Sequence, residues 1–407
     1  MIREDVEDHL EELARLTETA GGEVVDRQVQ ERARLDAATF VGRGKAQELA
    51  AACRGHRADL AIFDDDLSPA QVRNLEKLLG TRVIDRSTLI LDIFARRARS
   101  REARTQVELA RLNYLLPRLT RRWTHLERQE GGIGVRGIGE TQIELDRRII
   151  RRRIDHLKED LERVVKGRQV RREGRRGVMQ GALIGYTNSG KSTLLNALTH
   201  AEAFVEDRLF ATLDPLTRRL EIGGRPLLLS DTVGFIRKLP HHLVASFRST
   251  LEEAAQADFL LHVADVSHPQ MAEQMAVTSE VLSSLQLDNR PILIVLNKID
   301  SAEPAAVERA RRLHPGAVLV SAARGDGLDG LKEALAGLMD HGLVQRAIRL
   351  RSADLEAISR VYAQSQVLDA QYHDGYVDLT IRASRERASA LGRLGCEAVD
   401  AVEEAAR

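Results

Sequence analysis

At 407 residues the chain is too long for one comfortable core, and about two to four domains are expected. Lys plus Arg and Asp plus Glu both number 61, so net charge alone names no partner, and two cysteines, Cys53 and Cys396, exclude a disulfide framework or a thiolate zinc site. With no apolar signal core after Met1-Ile2-Arg3-Glu4-Asp5 and no run approaching ~18 apolar residues, a cytoplasmic protein without integral membrane contact is expected.

Residues 1–22 read as an acidic helix around Leu10, Leu13 and Leu16, ended by Gly21-Gly22. Extended segments are expected at Val24-Val25 and Thr39-Phe40-Val41, then the turn Gly42-Arg43-Gly44-Lys45 and a helix over 46–52. That turn lacks the full spacing of a phosphate loop and is read as a plain strand-to-helix connection. Strands follow at 60–63 and 82–85, with a helix between them opened by Ser68-Pro69. Strands alternating with helices predict a small parallel α/β unit over residues 1–86.

From Ser87 the character becomes helical and Arg-rich. Between Arg96 and Arg176 there are 24 basic and 12 acidic residues, inside a chain of zero net charge. Such a block points to nucleic acid or another anionic surface, although a solvated helical hairpin would account for the same charge. The expected hairpin covers 87–167. Pro117 kinks or divides its first helix, and the second runs over 140–166. Ile150, Ile154, Leu157, Leu161 and Val164 step by four and three, the seam spacing of a paired helix. At about 1.5 Å per residue the arm is on the order of 40 Å long. The tip, residues 131–139, holds five glycines in nine positions. A helix–helix turn needs few, so the tip reads as a backbone that bends freely or lies against something flat. A basic linker, 168–179, leads onward.

Residues 180–342 carry a doubly wound α/β pattern. Strands are expected at 181–185, 219–222, 226–231, 259–265, 291–297 and 317–321, with helices between the later ones, including 271–285 and 328–339. A small α+β tail over 343–407 follows, with strands at 347–350 and 376–381 and helices at 354–366 and from 386. It shows no readable chemistry.

The chemistry centres on Gly185-Tyr186-Thr187-Asn188-Ser189-Gly190-Lys191-Ser192, between an apolar strand and a helix that begins Thr193-Leu194. Strand, G-x-x-x-x-G-K-S turn and helix together form a phosphate cradle. Lys191 supplies charge to the β/γ oxygens and the Ser192 hydroxyl reaches Mg²⁺. The strand ending Asp231-Thr232-Val233-Gly234 matches D-x-x-G, with Asp231 on Mg²⁺ through a water and the Gly234 N–H on the γ-phosphate. Asn297-Lys298-Ile299-Asp300 matches N-K-x-D. The Asp300 carboxylate can accept from guanine N1–H and N2–H₂, donors that adenine lacks, and such sites reject the deficient analogue by up to ~10⁴-fold. Ser321-Ala322-Ala323 is placed for a backbone N–H to reach guanine O6. Each motif alone is weak; their order at the carboxyl ends of predicted strands makes the case. Between cradle and D-x-x-G lies the switch segment Phe210-Ala211-Thr212-Leu213-Asp214-Pro215, in which Thr212 and Thr217 compete as the Mg²⁺ ligand. After Gly234 comes Phe235, where Ras-like enzymes place the glutamine that orients the attacking water. Hydrolysis is therefore expected to be slow alone, with Lys191, Thr212 and Gly234 as the catalytic set.

These segments, with Thr39-Phe40-Val41-Gly42-Arg43-Gly44-Lys45, Asp85-Arg86-Ser87-Thr88-Leu89-Ile90-Leu91-Asp92-Ile93-Phe94, Gln106-Val107-Glu108-Leu109-Ala110 and Gly137-Ile138-Gly139-Glu140-Thr141-Gln142, resemble the HflX family of bacterial ribosome-associated GTPases. The resemblance covers nearly 1–345, and the tail is similar to the variable C-terminal domain of some members. It favours Thr212 as the metal ligand and implies the P-loop GTPase fold preceded by an α/β domain with a long helical hairpin. It also implies binding to the large ribosomal subunit, GTP-dependent splitting of stalled or idle ribosomes, a hairpin loop near the peptidyl-transferase region and ribosome-stimulated hydrolysis. On that reading Trp123, Gly134, Arg136, Gly137, Arg147, Arg148, Arg151 and Arg152 contact rRNA, mainly through backbone phosphates. The protein off the ribosome is expected to be monomeric. A GTP-gated rRNA-binding factor in large-subunit assembly, with hydrolysis only for release, shares every motif. A membrane- or protease-linked regulator finds no membrane segment.

Overall fold

The computed structural model describes residues 2–32, 34–119, 142–173, 178–199, 209–238, 253–287, 289–340, 343–395 and 402–404. Among them three sheets organise the chain, of two, six and four strands in sequence order.

The acidic first helix, α1 (Ile2–Thr19), presents Leu13 and Leu16 to an apolar cluster with Ile90, Ile93 and Phe94. It stops where Gly21 takes a φ of +85°. The extended segments expected before α2 (Arg43–His56) are not strands. Asp36 and Phe40 make a single bridge, and Asp36 Oδ1 accepts from the Ala38 and Thr39 N–H groups, a local turn that competes with ladder pairing. β1 (Leu60–Phe63) and β2 (Arg82–Asp85) pair in parallel, joined by α3 (Pro69–Leu79). Ser68 and Gln71 cap α3 reciprocally and Pro69 sits in its first turn.

The first helical run divides earlier than Pro117 indicated. α4 (Arg86–Arg97) ends before Ser100, whose hydroxyl accepts from Ala103 N–H and starts α5 (Arg101–Leu115). Pro117 lies in a 3₁₀ turn, Leu116–Arg118. The returning helix α6 (Gln142–Glu173) is 32 residues, about 48 Å, longer than expected. Leu109 of α5 packs with Ile154 and Leu157 of α6, flanked by Leu112, Leu116, Ile150 and Leu161. Arg153 adds a paired contact to Glu108 at 2.8 and 3.1 Å.

The central sheet runs β4-β5-β3-β6-β7-β8, parallel except for the edge strand β4 (Leu216–Ile222). Its other strands are β3 (Met179–Ile184), β5 (Arg225–Asp231), β6 (Phe259–Asp265), β7 (Ile292–Asn297) and β8 (Val318–Leu319). All seven residues of β6 are buried, which is why its apolar residues run consecutively, broken by His262 alone before Asp265, rather than alternating. Helices among its described residues include α7 (Lys191–Thr199), α8 (Met271–Ser284), α9 (Pro304–Leu313) and α10 (Leu328–Asp340). α9 takes the expected place of a helix between β7 and β8; Pro304 opens it, and Ala310 is buried with Val307 packed beside it.

The tail folds as β9 (Leu343–Arg351), α11 (Leu355–Gln364), β10 (Gln366–His373), β11 (Tyr376–Ser384), α12 (Arg385–Gly392) and β12 (Val402–Glu404). Antiparallel pairing in the order β10-β11-β9-β12 makes a split βαββαβ unit. Among the described residues no helix is long and apolar enough to cross a membrane.

Candidate nucleotide site

The parallel strands of the central sheet end on one edge, and β3, β5 and β7 deliver the three motifs there. The loop after β3 turns at Gly185, where an added Cβ would lie 2.2 Å from the Val263 carbonyl oxygen. Lys191, the first residue of α7, folds back so that its ammonium donates to Gly185 O at 3.2 Å and Tyr186 O at 2.8 Å. Burial pushes its pKa down to about 8, against the opposing pull of Asp231. Gly234 approaches from β5: a Cβ there would meet Thr187 Cα at 2.6 Å and Lys191 Nζ at 3.0 Å. The Phe235 N–H donates to Gly185 O and the Thr187 N–H to Phe235 O, at 3.0 and 2.6 Å, closing this wall. Asn188, Gly190, Thr193 and Ala211 complete the lining of the cradle.

Three side-chain oxygens converge beside Lys191. Ser192 Oγ donates to Asp231 Oδ2 at 2.5 Å and lies 2.7 Å from Thr212 Oγ1. Asp231 is 1% exposed and its other oxygen, Oδ1, has no partner among the described residues. Burial raises its pKa, so its anion is poorly compensated where it stands. An orphaned buried carboxylate oxygen with two hydroxyls at hand suits a hard divalent cation, and the residues fit Mg²⁺. Thr217 is placed elsewhere: its hydroxyl lies 2.8 Å from Ser230 Oγ on the sheet. Thr232 Oγ1 is likewise used structurally, donating to Leu183 O.

At the opposite end Asn297 stitches three loops. Its amide donates to Ser189 O at 2.9 Å and its oxygen accepts from Ala322 N–H at 3.0 Å. Lys298 pairs with Asp265 at 2.6 Å. The Ser321 hydroxyl holds the Asp300 carboxyl below the usual carboxylate range, so it is an anion ready to accept. The Ile299 N–H donates to Val320 O, which fixes the turn, and Ala323 is exposed beside it. Asp265 was missed from the sequence, although it too ends an apolar strand on the functional edge.

Several expected nucleotide contacts face the N-terminal domain instead. Phe210, at φ +56°, packs edge-on against Phe94 with centroids 4.6 Å apart, while its N–H donates to Thr187 Oγ1 at 2.9 Å. Leu213 and Val233 are buried in the same cluster as Leu16 and Phe94. The Asp214 carboxylate accepts from the N–H groups of Arg99 and Ser100, at 3.1 and 3.2 Å, and from the Ser100 hydroxyl. The Tyr186 hydroxyl donates to Glu12 of α1. These side chains serve an inter-domain contact because hydrophobic burial and a helix N-terminus lie on that side.

The segment after Gly234 is shared between the two sides. Phe235 is 2% exposed and packs with Ala182, Ile184 and Leu260 inside the nucleotide domain, and Ile236 is buried against the N-terminal cluster. Arg237 binds Glu273 at 3.0 Å, and Lys238 reaches Asp64 and Asp65 at 2.7 and 2.6 Å. Arg86, almost fully buried, joins Glu12 to Asp64 behind them.

On the arm, Arg151 and Arg152 are exposed. Arg147 is not a free surface cation, since it donates to Leu119 O within the hairpin at 3.2 Å. Arg148 is exposed. Trp123, Gly134, Arg136 and Gly137 lie outside the described residues.

Residues 7–95 match the family described as GTP-binding GTPase N-terminal, residues 97–175 the GTP-binding GTPase Middle Region, and residues 180–298 the 50S ribosome-binding GTPase. The chain is 45% identical over 385 residues to GTPase HflX of Escherichia coli, covering 93% of this chain and 90% of that one. With GTPase HflX of Flavobacterium psychrophilum it shares 49% identity over 306 residues, 75% and 74% of the two chains. Among solved structures, a GTP-binding protein of Sulfolobus solfataricus with GDP is 26% identical over 81% of this chain and 94% of that one, at a TM-score of 0.43.

Proposed function

The chain belongs to the HflX family of GTPases, and from that premise we propose that it is a GTP-driven switch which docks on the large ribosomal subunit and separates the subunits of stalled or idle ribosomes. The carrying observation is that Phe210, Leu213, Asp214, Ile236 and Lys238, on the segments at the phosphate end of the cradle, rest on the domain that bears the Arg-rich arm. A nucleotide that rearranges these segments therefore acts on the arm's own domain.

Within this reading Gly185 to Ser192 hold the phosphates through backbone N–H groups, and Lys191 offsets the β/γ charge. Ser192 and Thr212 would hold Mg²⁺ directly, with Asp231 reaching it through a water. When bound, the cation neutralises charge that builds on the transferred phosphoryl oxygens. Asp300 reads guanine, Asn297 and Lys298 brace the base end, and Ala322 and Ala323 border O6. Phe235 has no group that orients a water, so hydrolysis is slow alone and accelerates on the ribosome. Arg151 and Arg152 contribute phosphate contacts that weaken as salt rises.

Light scattering of intact ribosomes mixed with the protein and a non-hydrolysable GTP analogue tests this. Subunit dissociation that fails with GDP is expected. Stable binding to large subunits with no dissociation would instead support the assembly-factor reading.

A further inference from the structure

Helix α5 belongs at once to the arm and to the switch. Its flank carries Leu109 against Ile154 and Leu157 of α6, and Arg153 of α6 grips Glu108. Its N-terminus is where the Asp214 carboxylate lands, taking the Arg99 and Ser100 N–H groups and the Ser100 hydroxyl. Ser100 therefore caps in two directions, because its oxygen also accepts from Ala103 N–H inside α5. A carboxylate suits this place: the amides of a helix start carry partial positive charge, and charge-assisted hydrogen bonds are the stronger kind.

Thr212 sits two residues before Asp214 and two after Phe210. Phe210 is tied on its side by the Thr187 hydroxyl and the Phe94 ring. With both flanks fixed, Thr212 has little freedom, and its hydroxyl comes to 2.7 Å from Ser192 Oγ. One of those fixtures, Thr187, belongs to the phosphate loop itself. The other belongs to the arm's domain.

We propose that Asp214 and Ser100 are positioning residues for Thr212: the cap they form makes helix α5 part of the machinery that distinguishes GTP from GDP, and so links the arm to the nucleotide through one helix. The inference rests on the reading of Thr212 as a metal ligand. If the link holds, reciprocity follows: whatever displaces α5 through the arm changes GTP affinity, and GTP changes the arm's affinity for its target by the same factor.

The test is equilibrium binding of a fluorescent non-hydrolysable GTP analogue and of fluorescent GDP, both with Mg²⁺, to the full chain. Asp214→Ala and Ser100→Ala are each expected to weaken the analogue about tenfold while GDP stays within about twofold, and Ser100→Thr, which keeps the hydroxyl, restores the wild-type ratio. Thermal midpoints on the same samples verify folding, and a ratio that moves in a folded variant separates positioning from general stability. An unchanged analogue-to-GDP ratio in Asp214→Ala and Ser100→Ala, with Thr212→Ala lowering it, overturns the inference and leaves the metal-ligand reading intact. An unchanged ratio in Thr212→Ala overturns that reading and the inference with it.

Discussion

Phe235 occupies the place of a catalytic glutamine, yet its side chain turns away from the cradle into the core beside Ile184 and Leu260. Restoring glutamine there would bury an amide among apolar groups. Phe235→Gln is expected to lower stability by about 2–4 kcal/mol in denaturant titration, with no faster intrinsic GTP hydrolysis. Asp300 supports a cleaner exchange. Asparagine would keep one acceptor and replace the other with a donor, which suits the C2 carbonyl of xanthine and opposes the amino group of guanine. Asp300→Asn should weaken GTP binding by about tenfold to a hundredfold and improve xanthosine triphosphate, measured by competition. His262 on β6 is buried and its pKa is lowered to about 4, chiefly by burial and secondarily by Lys191. Unfolded, it takes a proton below about 6.5, which the folded site refuses until about 4. Stability should therefore fall as pH drops through that window, by at most about 3 kcal/mol, and His262→Leu should flatten that part of the acid limb.

Among the elements, the paired helices α5 and α6 depend on a narrow apolar seam, with Leu157 at 3% exposure touching the cluster around Leu109. Leu157→Ala is expected to cost about 2–4 kcal/mol locally, seen as faster amide exchange along both helices while the central sheet stays protected. The seam was legible in the sequence because Ile154, Leu157 and Leu161 follow helical spacing, and so were the G-x-x-x-x-G-K-S, D-x-x-G and N-K-x-D segments, since each is a local pattern on a strand end. The break at Ser100 was not, because Pro117 is the louder signal while a serine cap becomes decisive only when its partners are known. β10 was missed for a related reason: Gln366, Asp369, Gln371 and His373 give an edge strand polar faces and a bulge interrupts its alternation. The directions of Phe210, Leu213 and Asp214 were beyond reach, being decided by Phe94 and Ser100 more than a hundred positions away.

Across the whole molecule the two domains meet through charge as well as apolar contact. Arg86 is 3% exposed and bridges Glu12 and Asp64, while Lys238 and Tyr186 come to the same carboxylates from the nucleotide domain. Removing the central cation leaves Glu12 to Tyr186 and Arg237 and Asp64 to Lys238, with the buried link between the two acids gone. Arg86→Met is expected to destabilise the folded chain by about 3 kcal/mol, and the loss should shrink when Glu12→Gln and Asp64→Asn are added, as a double-mutant comparison would report.

Asn297 binds the phosphate loop at Ser189 O and the Ala322 N–H, and an atom added at Gly190 would strike its amide at 2.2 Å. A compound that competes for the guanine pocket would accordingly meet a target with few escape routes. A resistance substitution at Asn297 would loosen the loop on which GTP itself depends, so selection for survival under the drug would work against the enzyme's own ligand.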